Sequence, residues 1–267
     1  MKNRKNVLKD VCMLVCGLVI GAATAYCFGL RCDSIKDVKN SLVEKDYAQV
    51  YGIDVSYWQG YVNWDGLQLP CDEEGRVSGS IPVPHQQRPA QFSFIRATKG
   101  DSYIDPNYKR NYSEAKRLGI PCGSYHFLTD SVSGKAQAEL FLAHVRLEQG
   151  DLPPVLDVEI DSPAEITAAK EWLDIVEKEC GVKAMIYTTT HIYNTRIVKD
   201  SIMKTRDLWL ALPIGKSFEK PKMPNCKFWQ FSQDGHVWGV IDNSVDLDMF
   251  MGSKQELEKY IEEKGIK

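Results

Sequence analysis

The chain has 267 residues, 43% of them hydrophobic and 26% charged, which excludes wholesale disorder and leaves room for one large domain or two small ones. A formal net charge of −3 argues against a nucleic-acid binder that works by neutralising phosphates. A mean hydropathy of −0.31 excludes a polytopic membrane protein.

The N-terminus departs from that average. Lys2, Arg4, Lys5 and Lys9 precede an uncharged stretch from Val11 to Leu30, which Arg31 closes. The stretch is long enough to cross a bilayer as a helix, and Ala23-Thr24-Ala25 also matches an A-x-A cleavage site. Residues 1–30 are therefore expected to be an uncleaved transmembrane signal anchor or a signal peptide cut after Ala25. Either sends the remainder out of the cytoplasm, membrane-anchored in the envelope or secreted. Removing residues 1–25 leaves 29 basic and 35 acidic residues, so binding to an anionic surface requires a specific groove. Residues 31–49 are polar and read as a stalk.

Eight short apolar, β-rich runs follow: Tyr51–Val55, Phe92–Ala97, Cys122–Phe127, Val155–Glu159, Ala184–Thr188, Leu208–Leu212, Lys227–Phe231 and Val245–Met249. Helical periodicity fills gaps at Asn107–Leu118, Lys135–Gln149 and Pro163–Cys180, with a weaker helix around His191–Lys204. Ser162, Pro163 and Glu165 read as N-cap, N1 and capping-box partner of the third. Ser253 to Glu256 is another capping box, announcing a closing helix. Residues 70–91 are rich in Pro and Gly without periodicity and read as an insertion loop bordering the cleft. The last three strands have little helix between them. The expected fold is α/β, an irregular TIM-like (βα)5β3 barrel over residues 50–267.

The eight cysteines contain no C-x-x-C, and the five histidines lack ligand spacing, so no metal site or cofactor is expected. An oxidising compartment would permit disulfides, although Cys122, in an apolar run, reads as a buried thiol.

In a parallel barrel, reactive groups gather at the C-terminal ends of strands. Asp54 lies near the end of the first strand, Asp157 and Glu159 close the fourth, and Asp246 lies in the eighth. The first and eighth strands become neighbours when the barrel closes. In Asp157-Val158-Glu159, alternation puts both carboxylates on one side, with Cα atoms roughly 6.5–7 Å apart. That spacing suits one acid and one carboxylate acting on a glycosidic bond. Crowding by Asp54, Asp157 and Asp246 is expected to hold a proton on Glu159 near neutral pH. Tyr125 is a candidate for lining the sugar groove, Tyr187 and Trp209 for stacking on sugar rings with core packing as the alternative, and Gln230 for bonding an N-acetyl group with a structural role as the alternative. Trp58, Trp64 and Trp238 are weaker candidates for the groove, and His126 reads as a packing histidine.

Gly52-Ile53-Asp54-Val55-Ser56, Gly123-Ser124-Tyr125-His126-Phe127, Leu156-Asp157-Val158-Glu159, Ile186-Tyr187-Thr188, Trp229-Gln230-Phe231-Ser232 and Val245-Asp246-Leu247 resemble, in order, the signature blocks of family 25 glycoside hydrolases, the Chalaropsis-type lysozymes. The resemblance covers roughly residues 50–252. It implies the (βα)5β3 barrel and N-acetylmuramidase activity, the hydrolysis of the β-1,4 bond between N-acetylmuramic acid and N-acetylglucosamine in peptidoglycan glycan strands. It further implies Glu159 as general acid/base and Asp157 as the partner that orients the substrate's 2-acetamido group or attacks directly. Asp54 and Asp246 are implied as supporting acids. Net retention and a monomeric catalytic domain are expected.

Three features depart from the family pattern. Lys99 follows Ala97-Thr98 where an acidic residue is common, Asp248 stands where Asn is common, and the 70–91 segment has no counterpart. The competing readings are an inactive peptidoglycan-binding protein on the same fold, a metal-dependent barrel hydrolase, and a structural envelope anchor.

Overall fold

A computed structural model of the chain describes residues 48–77, 86–214, 219–240 and 244–267. The expected export segment, all but the last two residues of the stalk, and the middle of the 70–91 segment lie outside them. Among the described residues, no helix is long and apolar enough to cross a membrane.

Eight strands close into a barrel. In chain order they are β1 (Val50–Val55), β4 (Ser93–Lys99), β6 (Cys122–Phe127), β7 (Val155–Val158), β8 (Met185–Thr189), β9 (Leu208–Ala211), β10 (Cys226–Gly235) and β11 (Val245–Phe250). Neighbours pair in parallel from β1 to β10, whereas β11 runs antiparallel to both β10 and β1. All eight expected strands are present. β5 (Tyr103–Ile104) forms a hairpin with the end of β4.

Helices α1 (Tyr108–Arg117), α2 (Gly134–His144), α3 (Pro163–Cys180) and α4 (Thr190–Thr195) fill the connections between β4 and β9, and α5 (Lys254–Lys264) ends the fold. The connection from β1 to β4 carries 3-10 turns at Tyr57–Gln59 and Trp64–Gly66, and a small two-stranded sheet of β2 (Leu69–Cys71) and β3 (Gln86–Arg88).

Several elements differ from the sequence reading for local reasons. The second helix stops at His144, because Val145 is extended and the Arg146 N–H donates to the Tyr108 hydroxyl at 2.8 Å. The helix expected over His191–Lys204 breaks into α4 and two 3-10 turns. The ends of the 70–91 segment are paired rather than structureless. Arg88 is buried and donates to the carbonyls of Gln49 and Gly75, so these ends pack beside the start of β1, away from the strand C-termini. Among the described residues, Cys122, Cys180 and Cys226 are free thiols, Cys122 buried as expected.

Two layers of core follow from strand alternation. Outward residues such as Ile53, Ile95, Leu156, Ile186 and Trp229 pack under the helices with Phe141, Trp172 and Leu173. Inward residues fill the barrel with Phe92, Phe94, Phe228, Phe250 and Tyr260 toward the strand N-termini. Burying each of these rings contributes about 1.5–3 kcal/mol. They fit because Gly52 and Gly123 face inward: a Cβ there would come within 2.5 Å of Phe92 and 2.4 Å of Phe94. Helix α5 closes this end, with Leu257 and Tyr260 in the inner cluster and the Tyr260 hydroxyl bonded to Asp207, just ahead of β9.

Candidate active site

At the opposite end the alternation continues, but the inward side chains turn polar. Asp54, Tyr125, Asp157, Glu159, Tyr187, Trp209, Gln230 and Asp246 all line one cavity of about 440 Å³, a size suited to a small ligand or a few sugar rings. The eight residues drawn from the sequence are thus brought together.

β1 and β11 pair with Asp54 directly opposite Asp246, which joins the two acids across the barrel seam. Asp248, two residues on, faces the same way and is fully buried. The Trp209 indole N–H donates to its Oδ1 at 2.7 Å. Gln230 bridges inward, its Nε2 donating to Asp54 Oδ2 at 2.8 Å while its Oε1 accepts from the Tyr187 hydroxyl at 2.9 Å. Both ends of this amide are therefore committed within the protein. Trp229 faces the outer layer, as alternation requires, and donates to the Leu212 carbonyl.

The aromatic candidates separate by exposure. Trp209 is 1% exposed, stacked on Phe94 at 4.2 Å and packed on Tyr187 at 4.4 Å. No open face remains for a sugar, so its part is to hold the floor and Asp248. Tyr125 and Tyr187 are also buried and line the cavity. Trp58 lines the cavity from the loop after β1 and is 64% exposed. Trp64 is instead buried against Asn111, and Trp238 pairs with Gln68 outside the cavity. His126 is enclosed by Thr98 and Gln137, and burial lowers its pKa to about 4, so it stays neutral as a packing group.

The acids are pushed toward their protonated forms, for reasons that differ from the sequence reading. Burial raises Glu159, but its hydrogen bond with Asp157 and the nearby Lys99 pull it back down. Crowding falls instead on its neighbours. Burial and then Glu159 push Asp157 well above the ordinary range, burial and then Asp248 do the same to Asp54, and burial with Asp54 raises Asp246 to about 9. Asp157 and Glu159 are both raised and hydrogen-bonded to each other, so they titrate as a coupled pair.

Two acids that the sequence reading did not place in the site are structurally joined to it. Glu165 is fully buried in the first turn of α3, and its Oε1 accepts from the backbone N–H groups of Glu159, at 3.3 Å, and Ile160, at 2.9 Å. The expected capping box is only half formed: Ser162 caps the Glu165 N–H, while the Glu165 carboxylate reaches past it to the end of β7. Burial raises this carboxyl to about 7. Nothing in the S-P-A-E run distinguishes that role from an ordinary cap. Asp248 was legible in principle, since it sits two residues from Asp246 on the same strand.

On β4, between β1 and β6, Arg96 lines the cavity, and Lys99 lies over the Phe127 ring at 4.6 Å. The cleft thus has an acidic wall on β1, β7 and β11 and a basic edge on β4.

A family model described as Glycosyl hydrolases family 25 matches residues 53–240. The chain is 33% identical over 222 residues to YegX, an uncharacterized protein of Escherichia coli O157:H7, a match covering 82% of this chain and 75% of YegX. It is 29% identical over 228 residues to Lysozyme M1 of Streptomyces globisporus, covering 79% of this chain and 71% of that protein. The bacterial lysozyme from Streptomyces coelicolor superposes with a TM-score of 0.64 at 30% identity, over 82% of this chain and 99% of that one. The matched residues run through every barrel strand from β1 to β10, and the chain belongs to family 25 of the glycosyl hydrolases.

Proposed function

We propose that the chain is a lysozyme, an N-acetylmuramidase that cleaves the β-1,4 bond between N-acetylmuramic acid and N-acetylglucosamine in peptidoglycan. The observation that carries this reading is the Asp157–Glu159 pair lining one cavity with Asp54 and Asp246. The relatives named as lysozymes support the substrate. Such a substrate lies outside the cytoplasm, which agrees with residues 1–30 as an export segment, 31–49 as a stalk and 50–267 as the catalytic barrel.

The chemistry follows from the shared proton. As the glycan enters, the acetamido N–H of the muramic acid donates to Asp157, which favours the ionised aspartate and leaves the proton on Glu159. Glu159 gives it to the glycosidic oxygen while the acetamido carbonyl oxygen closes on C1, so the C1–O bond breaks with a neutral leaving sugar. The Glu159 carboxylate then takes a proton from water, and that water opens the ring formed on C1. Two inversions give net retention. Asp54 and Asp246, protonated in their crowded setting, are hydrogen-bond donors on the cavity floor.

The test is digestion of purified peptidoglycan by the full chain, with identification of the new reducing ends and of the anomer first released. Reducing muramic acid in the β-anomer is the expected result. Reducing glucosamine would make the chain a glucosaminidase, and an α-anomer would remove the retaining mechanism. Glycan bound but never cut would leave only the inactive binder.

A further inference from the structure

The two sugars that alternate along peptidoglycan share a ring and an acetamido group. They differ in the lactyl ether on C3 of the muramic acid, which ends in a carboxyl. A cavity lined by Asp54, Asp157, Glu159 and Asp246 disfavours an ionised carboxylate unless a cation meets it. Two cations stand on β4. Arg96 is buried and ion-paired to Asp105 at 3.0 Å. Lys99, one of the departures from the family pattern, is exposed, and among the described residues no carboxylate is ion-paired with it.

A β-bulge aims this lysine. Along β4, Phe94 faces the barrel interior and Arg96 lines the cavity, so unbroken alternation would turn Thr98 inward and Lys99 outward. The register with β6 instead slips between Arg96, opposite Tyr125, and Thr98, opposite His126. Ala97 is the extra residue, and it is buried in the core under the helices. Thr98 faces the same layer, its Oγ1 2.7 Å from Nδ1 of His126, whose ring stacks on Trp172. Lys99 is thereby returned to the inward side, opposite Phe127, with its Nζ 4.6 Å from the centre of that ring. Phe127 lines the cavity and is in turn opposite Asp157 on β7. Lys99, Phe127 and Asp157 thus form one row across three strands, with the lysine and aspartate backbones about 10 Å apart. The base of the lysine is fixed on both sides. It pairs with Tyr103 in the β5 hairpin, and the N–H of Gly100 donates to the Phe127 carbonyl at 3.1 Å.

We propose that Lys99 is a specificity-determining residue, whose ammonium pairs with a carboxylate on the lactyl arm of muramic acid. The proposal rests on the cleft being a muramidase site. The row supplies the spacing: the acids at one end act on C1, and the cation stands beyond Phe127, within reach of an arm on C3 of the same sugar. Glucosamine carries only a hydroxyl at C3 and gains nothing from the lysine, so the contact favours muramic acid in that position. In peptide-free glycan the carboxylate is the lactyl group's own. In strands that keep their stem peptides the lactyl carboxyl is an amide, and the carboxylates on the arm belong to the peptide.

The test uses the full chain and two peptide-free glycan preparations, one with free lactyl carboxylates and one with the same carboxyls converted to methylamides. The unmodified chain is expected to show a kcat/KM about fivefold higher on the free carboxylates. Lys99→Gln should bring that ratio close to one, and Lys99→Arg, which keeps the charge, should hold it. Strands with stem peptides identify the source of the carboxylate: a Lys99→Gln loss confined to them assigns the pairing to the peptide, and a loss confined to the free lactyl strands assigns it to the lactyl group. A loss on none of the three, or an equal loss on all three with a displaced pH–rate profile, would overturn the pairing; the second result would leave Lys99 acting only through its pull on the Glu159 proton. The same ratio measured as binding affinity in a Glu159→Gln background separates the proposal from the reading beneath it. If the unmodified chain cuts no glycan, the muramidase reading fails, and the role of Lys99 stands or falls on that binding ratio alone.

Discussion

The two ends of the barrel interior are lined by the same eight strands with the same alternation, yet opposite chemistry fills them. Toward the strand N-termini the inward positions hold Phe92, Phe94, Phe228 and Phe250, which pack ring against ring with Tyr260 of α5 at 5.0–6.0 Å. Toward the C-termini they hold Asp54, Asp157, Asp246 and Asp248, all shifted toward protonation by burial. Strand geometry cannot explain the contrast, since it is common to both ends. One end gains stability from each ring, whereas the other gives stability up by burying carboxyls that lack cationic partners. A fold keeps such a cluster for what it does.

The widest separation between the ends should come from Glu159→Gln. Loss of the proton donor is expected to lower kcat by about 10³-fold or more, with glycan binding and the unfolding midpoint retained; undiminished turnover would remove Glu159 as the acid. Phe228→Ala is the mirror case. It should destabilise the fold by about 3–5 kcal/mol in denaturant unfolding, while kcat per folded molecule stays within about twofold, because no ring of this cluster reaches the reacting atoms. A large fall in kcat from Phe228→Ala would mean that the two ends are coupled after all.

Glu165 tests the boundary between the two chemistries. Glu165→Ala should cost about 10–100-fold in kcat, with KM little changed, because the backbone of Glu159 loses its anchor. Glu165→Gln keeps an acceptor and should recover most of that loss. A positioning role also predicts that the alanine variant shifts the alkaline limb of the pH–rate profile, whereas a purely structural role would lower stability and leave the limb in place.

The smallest expected effect is a gain. A carboxyl whose folded pKa is raised holds its proton after the unfolded chain has released its own, so folding stability falls as pH rises from the ordinary carboxylate range toward the raised value. For Asp246 that window runs from 3.8 to about 9. Asp248 shifts in the same direction, and Asp248→Asn keeps the oxygen that accepts from Trp209 while abolishing the ionisable group. It should raise the unfolding midpoint by about 2–4 °C at pH 8, with a smaller gain at pH 4. Equal gains at both pH values would show that ionisation of Asp248 does not limit stability.

Much of this arrangement was legible before any coordinates, because a barrel places the ends of its strands predictably. Alternation alone put Asp157 and Glu159 on one side of Val158 and allowed only one of Trp229 and Gln230 to face inward. Chain closure alone put Asp54 beside Asp246. Roles set by contacts distant in sequence were not legible. The stacking of Trp209 on Phe94 takes away the ring face that composition suggested was free. The reach of Glu165 depends on how β7 turns into α3, which a capping pattern does not encode. The source of the shift also differs from expectation: the sequence suggests neighbouring charge at Glu159, but burial is what raises Glu159, and the like-charge crowding falls on the more deeply buried Asp54 and Asp157. Burial decides which group carries the shift, and burial is a property of the closed barrel.

The reversal of β11 has a practical corollary. Because the last strand runs against the others, the chain leaves the barrel at the closed end, where Ile266 pairs with Gly150 and Asp151 ahead of β7. β1 starts at that end as well. Both ends of the barrel domain thus emerge on the face opposite the cavity. A linker joined before Val50 or after Lys267 can hold the domain to a solid support with its cleft directed outward, so that a polymer too large to diffuse can still be worked on from the surface inward.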